Sequence, residues 1–208
     1  MKTVEQIKMR LSGEERRTQI LEAALGLFAD KGFSGTKTRQ IAQVAGVSET
    51  LIFQHFKTKE DLYREALKHL FAGHPIIPEV EEKAAQKDDK GVFTTLALHM
   101  IGHARKDPRI VRLSAFTALE GRQFADIFHR GDDSALMISE FLDRYIKQRI
   151  EEGAFKRING SIVARLFIET IFMYIVDQEV SLTGPPLDFP VEETVETLVG
   201  VFLSGLKT

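Results

Sequence analysis

The sequence predicts an all-α chain, with an N-terminal helix-turn-helix domain of three helices joined to a larger C-terminal helical bundle. Three observations carry this. Apolar residues recur every three or four positions along most of the 208 residues. Helix caps and stops punctuate that rhythm at regular intervals. No strand-like alternation, internal repeat or low-complexity tract interrupts it.

Residues 1–11 are polar with scattered cations (Lys2, Lys8, Arg10) and read as a solvated, frayed arm, as an early start to the first helix, or as a basic arm able to touch phosphate or a minor groove. Ser12-Gly13-Glu14-Glu15 is a capping box: the serine oxygen and the glutamate three residues on satisfy each other's free N–H groups. It opens a helix with Ile20, Ala23, Ala24, Leu27 and Phe28 inward, ended by Lys31-Gly32. The next helix holds Ile41 and Ala42 on its inner face. Ala45-Gly46-Val47 makes a turn in which Gly46 takes positive φ without steric cost. Ser48 caps a short helix tied down by Leu51 or Ile52 and by Phe56. Thr58-Lys59-Glu60-Asp61 opens a fourth helix through Leu62, Tyr63, Ala66, Leu67 and Leu70. Two short helices around a turn glycine suit either DNA major-groove binding or plain packing.

Pro75 and Pro78 mark a boundary, giving domains 1–70 and 71–208. Glu79 to Lys90 is heavily charged and reads as a solvated helix or loose segment. Helices are predicted from Val92 to Arg105, from Asp107-Pro108 to Leu119, and briefly around Phe124, Ile127 and Phe128. Asp132-Asp133-Ser134 caps a helix from Ala135 to Glu152, stopped by Gly153. Asn159-Gly160-Ser161 opens the most apolar helix, Ile162 to Val176, and a last helix follows Pro190. Ile162–Val176 is apolar over most of its circumference and must be covered on more than one side, by its own core or by a partner.

The motifs of the first third, in order, are Ile20-Leu21-Glu22-Ala23-Ala24, Leu27-Phe28, Lys31-Gly32-Phe33, Thr38-Arg39-Gln40-Ile41-Ala42, Ala45-Gly46-Val47-Ser48, His55-Phe56 and Lys59-Glu60-Asp61-Leu62. Together they resemble the N-terminal domain of the tetracycline-repressor (TetR/AcrR) family, over Arg16 to Leu67 and without gaps. The remaining two thirds resemble it in length and helical pattern. The resemblance implies a cytoplasmic, dimeric, ligand-responsive repressor that binds a pseudo-palindromic double-stranded DNA operator and is released by a small apolar effector. A helical regulator whose C-terminal domain docks a protein partner is the alternative, and a small-molecule-binding or enzymatic protein that does not bind DNA is the third reading.

Within that frame Arg39, Glu49, Thr50 and Gln54 are the base-reading candidates. Arginine matches guanine, glutamine adenine, and glutamate the cytosine amino group. Glu49 equally serves as an acid at a helix N-terminus. Thr36, Lys37, Thr38, Ser48, Phe53, His55 and Lys59 are the candidates for the DNA backbone. Phe53 departs from the tyrosine usual in the family; without a hydroxyl it can pack on a sugar or a thymine methyl. His99, His103, Arg112, Phe116, Thr117, Phe128, Phe141 and Tyr145 are the candidates to line an effector pocket, and the resemblance assigns Phe167, Ile171, Tyr174, Val195, Leu198, Val199 and Phe202 to a dimer interface.

His99 and His103 stand four residues apart, a two-histidine metal spacing, but no third ligand follows. No nucleophile elbow or phosphate loop is present, so no enzyme, metal or cofactor is expected. The chain has no cysteine, which removes disulfides and thiolate chemistry. No apolar run reaches membrane-spanning length, since Arg165 and Glu169 interrupt the best one, and no secretory leader is predicted. The net charge of −2 divides unevenly: residues 1–70 carry 12 Lys and Arg against 9 Asp and Glu, the remainder 16 against 21. That mild basicity favours a polyanion only where Lys37, Arg39, Lys57 and Lys59 cluster.

Overall fold

The computed structural model describes residues 12–71, 76–120, 134–180 and 189–208. Between His69 and Leu70 the chain divides into two compact units, and the described residues form ten helices.

The first unit holds α1 (Gly13–Gly35), α2 (Thr38–Ala45), α3 (Glu49–His55) and most of α4 (Lys59–Phe71). The capping box forms as read: Ser12 N–H donates to Glu15 Oε2 at 2.8 Å and Glu15 N–H to Ser12 Oγ at 3.2 Å. Gly32 stops the regular helix at φ 69°, ψ 178°, a region closed to side-chain-bearing residues, and one further turn follows to Gly35. The inward face of α1 is rotated from the expected one. Ile20, Leu21, Ala24, Leu25 and Phe28 are buried, while Ala23 and Leu27 are half-buried. Both stripes satisfy a 3.6-residue repeat, so only the partners decide. Tyr63 of α4 meets Phe28 edge-on at 4.8 Å and Phe33 at 5.4 Å.

One expected backbone contact is corrected. Thr36 is fully buried, and its hydroxyl donates to Gly32 O at 2.8 Å and lies 3.1 Å from Leu27 O. Its N–H donates to Phe33 O, so Thr36 closes the end of α1 and cannot reach a phosphate.

The second unit holds α5 (Ile77–Ala85), α6 (Asp89–Lys106), α7 (Arg109–Leu119), α8 (Ser134–Glu151), α9 (Gly160–Val180) and α10 (Val191–Leu206). Helix α6 packs against α5, α7, α9 and α10, and α8 lies along α9. Phe167 is the central side chain, edge-on to Phe93 at 4.8 Å and to Phe202 at 5.1 Å. The expected interface therefore needs correcting. Phe167, Ile171, Val195 and Val199 are buried in the core of their own chain, and Tyr174, Leu198 and Phe202 pack partly buried against it. These two helices are apolar on two sides, and the named residues are the half that faces inward. The outward half is Ile162, Leu166 and Met173 on α9 and Val201 on α10, each at least half exposed.

The charged run 79–90 is ordered, not loose: Val80 is fully buried and Asp89 is 6% exposed. Asp89 Oδ1 accepts from Arg149 Nε at 2.8 Å and from the Tyr145 hydroxyl at 2.7 Å. Burial first, then the Asp89 carboxylate, push the Tyr145 phenol well above its ordinary value. The hydrogen bond to Asp89 raises the Arg149 guanidinium further. Gly153, at φ 75°, ends α8. Lys156 N–H then donates to Leu206 O at 2.8 Å, pinning the following loop to the end of α10. Among the described residues no helix is long and apolar enough to cross a membrane.

Candidate nucleic-acid interface

The site grows from the turn between α2 and α3. Gly46 takes φ 62°, ψ 35°, the left-handed conformation expected of it, and Val47 N–H returns to Ala42 O at 3.0 Å. Ser48 caps α3, its Oγ accepting from Leu51 N–H at 3.1 Å. Ile52, and not Leu51, is the buried anchor, and Phe56 is buried just beyond the helix. On α2, Ile41, Ala42 and Ala45 are buried.

Fixing Ile52 inward leaves Glu49, Thr50, Phe53 and Gln54 exposed on one arc of α3. Phe53 is 48% exposed, with an aromatic ring standing in water on an otherwise polar face. Arg39 is exposed on the first turn of α2. Lys37 is exposed at its N-cap, its N–H donating to Gln40 Oε1 at 3.1 Å, with Thr38 half-buried beside it. Ser48 is exposed, although its hydroxyl serves the cap. Lys59 Nζ lies 4.1 Å over the Phe33 ring, and His55 is half-buried beside Phe56.

A cleft of about 370 Å³ opens in the same unit, lined by Arg17, His55, Phe56, Lys57, Asp61, Arg64, Glu65 and Lys68. Arg17 stacks 5.2 Å over Phe56 and meets Glu65 at 2.5 Å. Burial pushes the Glu65 carboxyl up, but Lys68 and Arg17 outweigh it and hold it below the ordinary carboxylate range. Four cations and a histidine against two acids make the cleft anion-attracting. Of its lining, the sequence singles out His55, Phe56, Lys57 and, within a helix cap, Asp61. Arg64 and Lys68, four residues apart on α4, were the available signal for the rest.

Three of the effector candidates are engaged within their own fold. Tyr145 spends its hydroxyl on Asp89, and Phe141 is buried and stacked on Tyr145 at 6.3 Å. The Thr117 hydroxyl donates to Leu113 O within its own helix. His99 and His103 hold their rings 4.2 Å apart, on α6 roughly 15 Å or more along the axis from Asp89. Phe116 is half-buried and Arg112 exposed on α7. Phe128 and the short helix expected around it lie outside the described residues. Among the described residues no three His, Cys, Asp or Glu side chains are grouped to hold a metal ion.

Comparison with known proteins fits this geometry. The family model "Bacterial regulatory proteins, tetR family" matches residues 20–66. YvkB of Bacillus subtilis (strain 168), described as an uncharacterized HTH-type transcriptional regulator, is 30% identical over 189 residues, covering 91% of this chain and 96% of the relative. The HTH-type transcriptional regulator TtgR of Pseudomonas putida is 31% identical over 101 residues, covering 49% of this chain and 48% of that one. In fold, the transcriptional regulator FadR from Bacillus subtilis, solved in complex with stearoyl-CoA, superposes with a TM-score of 0.69 at 19% identity, covering 90% of this chain and 98% of that one. Both YvkB and TtgR are described as regulators of transcription. The match to YvkB runs through both structural units instead of stopping at the helix-turn-helix, so the whole chain belongs to the tetR family of bacterial regulatory proteins.

Proposed function

We propose that this protein is a repressor that binds a pseudo-palindromic operator as a dimer and leaves it when a small apolar effector binds the second unit. One observation carries the reading: a capped, glycine-turned helix anchored by buried Ile52, with Glu49, Thr50, Phe53 and Gln54 standing clear of the body. Such a helix fits a major groove, and its first-turn side chains meet base edges. Arg39 adds a planar donor fork suited to guanine O6 and N7. Lys37, Thr38, Ser48, His55 and Lys59 surround it as backbone contacts.

Dimerisation is supported by the outward stripe of α9. Ile162, Leu166 and Met173 fall on one helical face and are 55%, 50% and 57% exposed, with Val201 of α10 at 65%. Water-facing apolar side chains in a row mark an interface, and a two-fold pairing of α9 and α10 buries them in a four-helix bundle. The effector arm rests on the fold shared with FadR, whose structure holds stearoyl-CoA. His99, His103, Phe116 and Arg112 are the side chains offered for it.

Selection of duplexes from a random pool by the purified full chain tests the proposal. Two inverted half-sites about one helical turn apart are expected, with affinity falling steeply as salt rises. A pool that stays unenriched speaks against operator binding. Adding stearoyl-CoA as a probe long-chain effector should lower operator affinity; saturation without change speaks against the effector arm.

A further inference from the structure

We propose that Phe53 selects thymine in the operator through its C5 methyl group; this rests on α3 entering the major groove. On α3 the exposed residues are Glu49, Thr50, Phe53 and Gln54, and three of the four are polar. With 3.6 residues per turn, they spread over an arc of roughly 140°, running Glu49, Phe53, Thr50, Gln54. Phe53 therefore lies inside the arc, between the two first-turn residues and one turn beyond them. A side chain that only brushed the sugar-phosphate wall would sit at or beyond the arc's edge.

The chemistry of the ring narrows the choice. Phe53 has no donor for a phosphate oxygen and no partner for a base-edge amide or carbonyl. In the major groove the one apolar group a base pair presents is the thymine methyl. A deoxyribose is partly apolar too, but it is the same in every nucleotide and gives no selection. The ring is also pre-positioned. Its neighbour Ile52 is buried, and the Ser48 cap fixes the start of the helix, so little backbone freedom is lost when the ring meets a base.

The test replaces each thymine of the selected operator in turn by deoxyuridine, which removes the methyl and nothing else. The full-length protein should bind about fourfold more weakly at one thymine per half-site, the effect of one methyl left unburied. Phe53→Ala should bind thymine and deoxyuridine there equally well, and Phe53→Leu should keep part of the difference. Unchanged melting temperatures check that both variants are folded. Two results overturn the proposal: a parent protein indifferent to every substitution, or a Phe53→Ala protein as sensitive to the methyl as its parent. A chain that selects no sequence at all overturns the operator reading, and this one with it, before any deoxyuridine is compared.

Discussion

Thr36 and Thr50 are the same residue type in opposite surroundings. Thr36 is fully buried with its hydroxyl turned to Gly32 O and Leu27 O, whereas Thr50 stands exposed on α3. Thr36→Val should lower stability in urea denaturation by roughly 1–3 kcal/mol, because it removes the buried hydroxyl that donates to Gly32 O. The folded fraction should bind operator as before; a selective loss of DNA affinity at parental stability would restore Thr36 to the backbone contacts. Arg39→Ala should do the reverse. Its exposed guanidinium holds no core in place, so the melting temperature should stay put while specific affinity falls by roughly tenfold or more per half-site. Equal operator binding by mutant and parent would take Arg39 out of the base-reading set. The sequence displayed these hydroxyls and cations side by side. It could not separate them, because a threonine's burial depends on where the preceding helix kinks, and here that was decided by Gly32.

Elements reveal a different balance. The caps at Ser12, Ser48 and Thr58 and the turn at Gly46 were legible because each rests on bonds three or four residues apart. Gly46 is in the left-handed region with open space around the missing side chain. Gly46→Ala should therefore cost only the backbone strain, about 1–2 kcal/mol, and Gly46→Asn less. Chemical denaturation of both variants reads the difference, and no loss in the alanine variant would contradict the assigned conformation. By contrast, the junction of α6 and α8 was illegible. Asp89 and Arg149 lie 60 residues apart, and Asp89 hides in a run of charges that looks solvated. Arg149→Met should destabilise by roughly 3 kcal/mol, since it takes the hydrogen-bonded guanidinium from the buried Asp89 carboxylate and leaves Lys207 at 3.8 Å. Glu152 at the same junction accepts from Gln148 and pairs with Lys87 and Arg149; these bonds hold its carboxyl at about 2, against an ordinary 4.5. A carboxyl depressed on folding stabilises the protein fully above its ordinary value and loses that contribution as pH falls toward 2. Melting temperatures of Glu152→Gln should thus fall less steeply than the parent's between pH 4.5 and 2; parallel curves would deny the coupling.

At the scale of the molecule, the question is which surfaces remain for other molecules. Ile162→Glu with Leu166→Glu should give a monomer by analytical ultracentrifugation, with parental helix content and much weaker operator binding. Val199→Glu should instead unfold the second unit, because Val199 is fully buried within its own chain. A double mutant that sediments as a dimer would move the interface elsewhere. The sequence made it plain that α9 must be covered on two sides, yet it could not say which side was which. Large apolar residues line both, Ile162, Leu166 and Met173 outward and Phe167, Ile171 and Ile175 inward, and the packing of Phe167 between Phe93 and Phe202 orients the helix.

The packing of α10 on α6 also bears on how the protein is made. Lys90 meets Glu196 across 106 residues of chain, and Val195 and Val199 complete the core around Phe93. During synthesis the first unit has its helices and its Tyr63 wedge in hand while the second still lacks its closing helix. Such distant pairing is entropically slow to find. The apolar seats meant for α10 therefore stay open until that sixteen-residue helix has emerged, an interval in which exposed apolar surface invites aggregation.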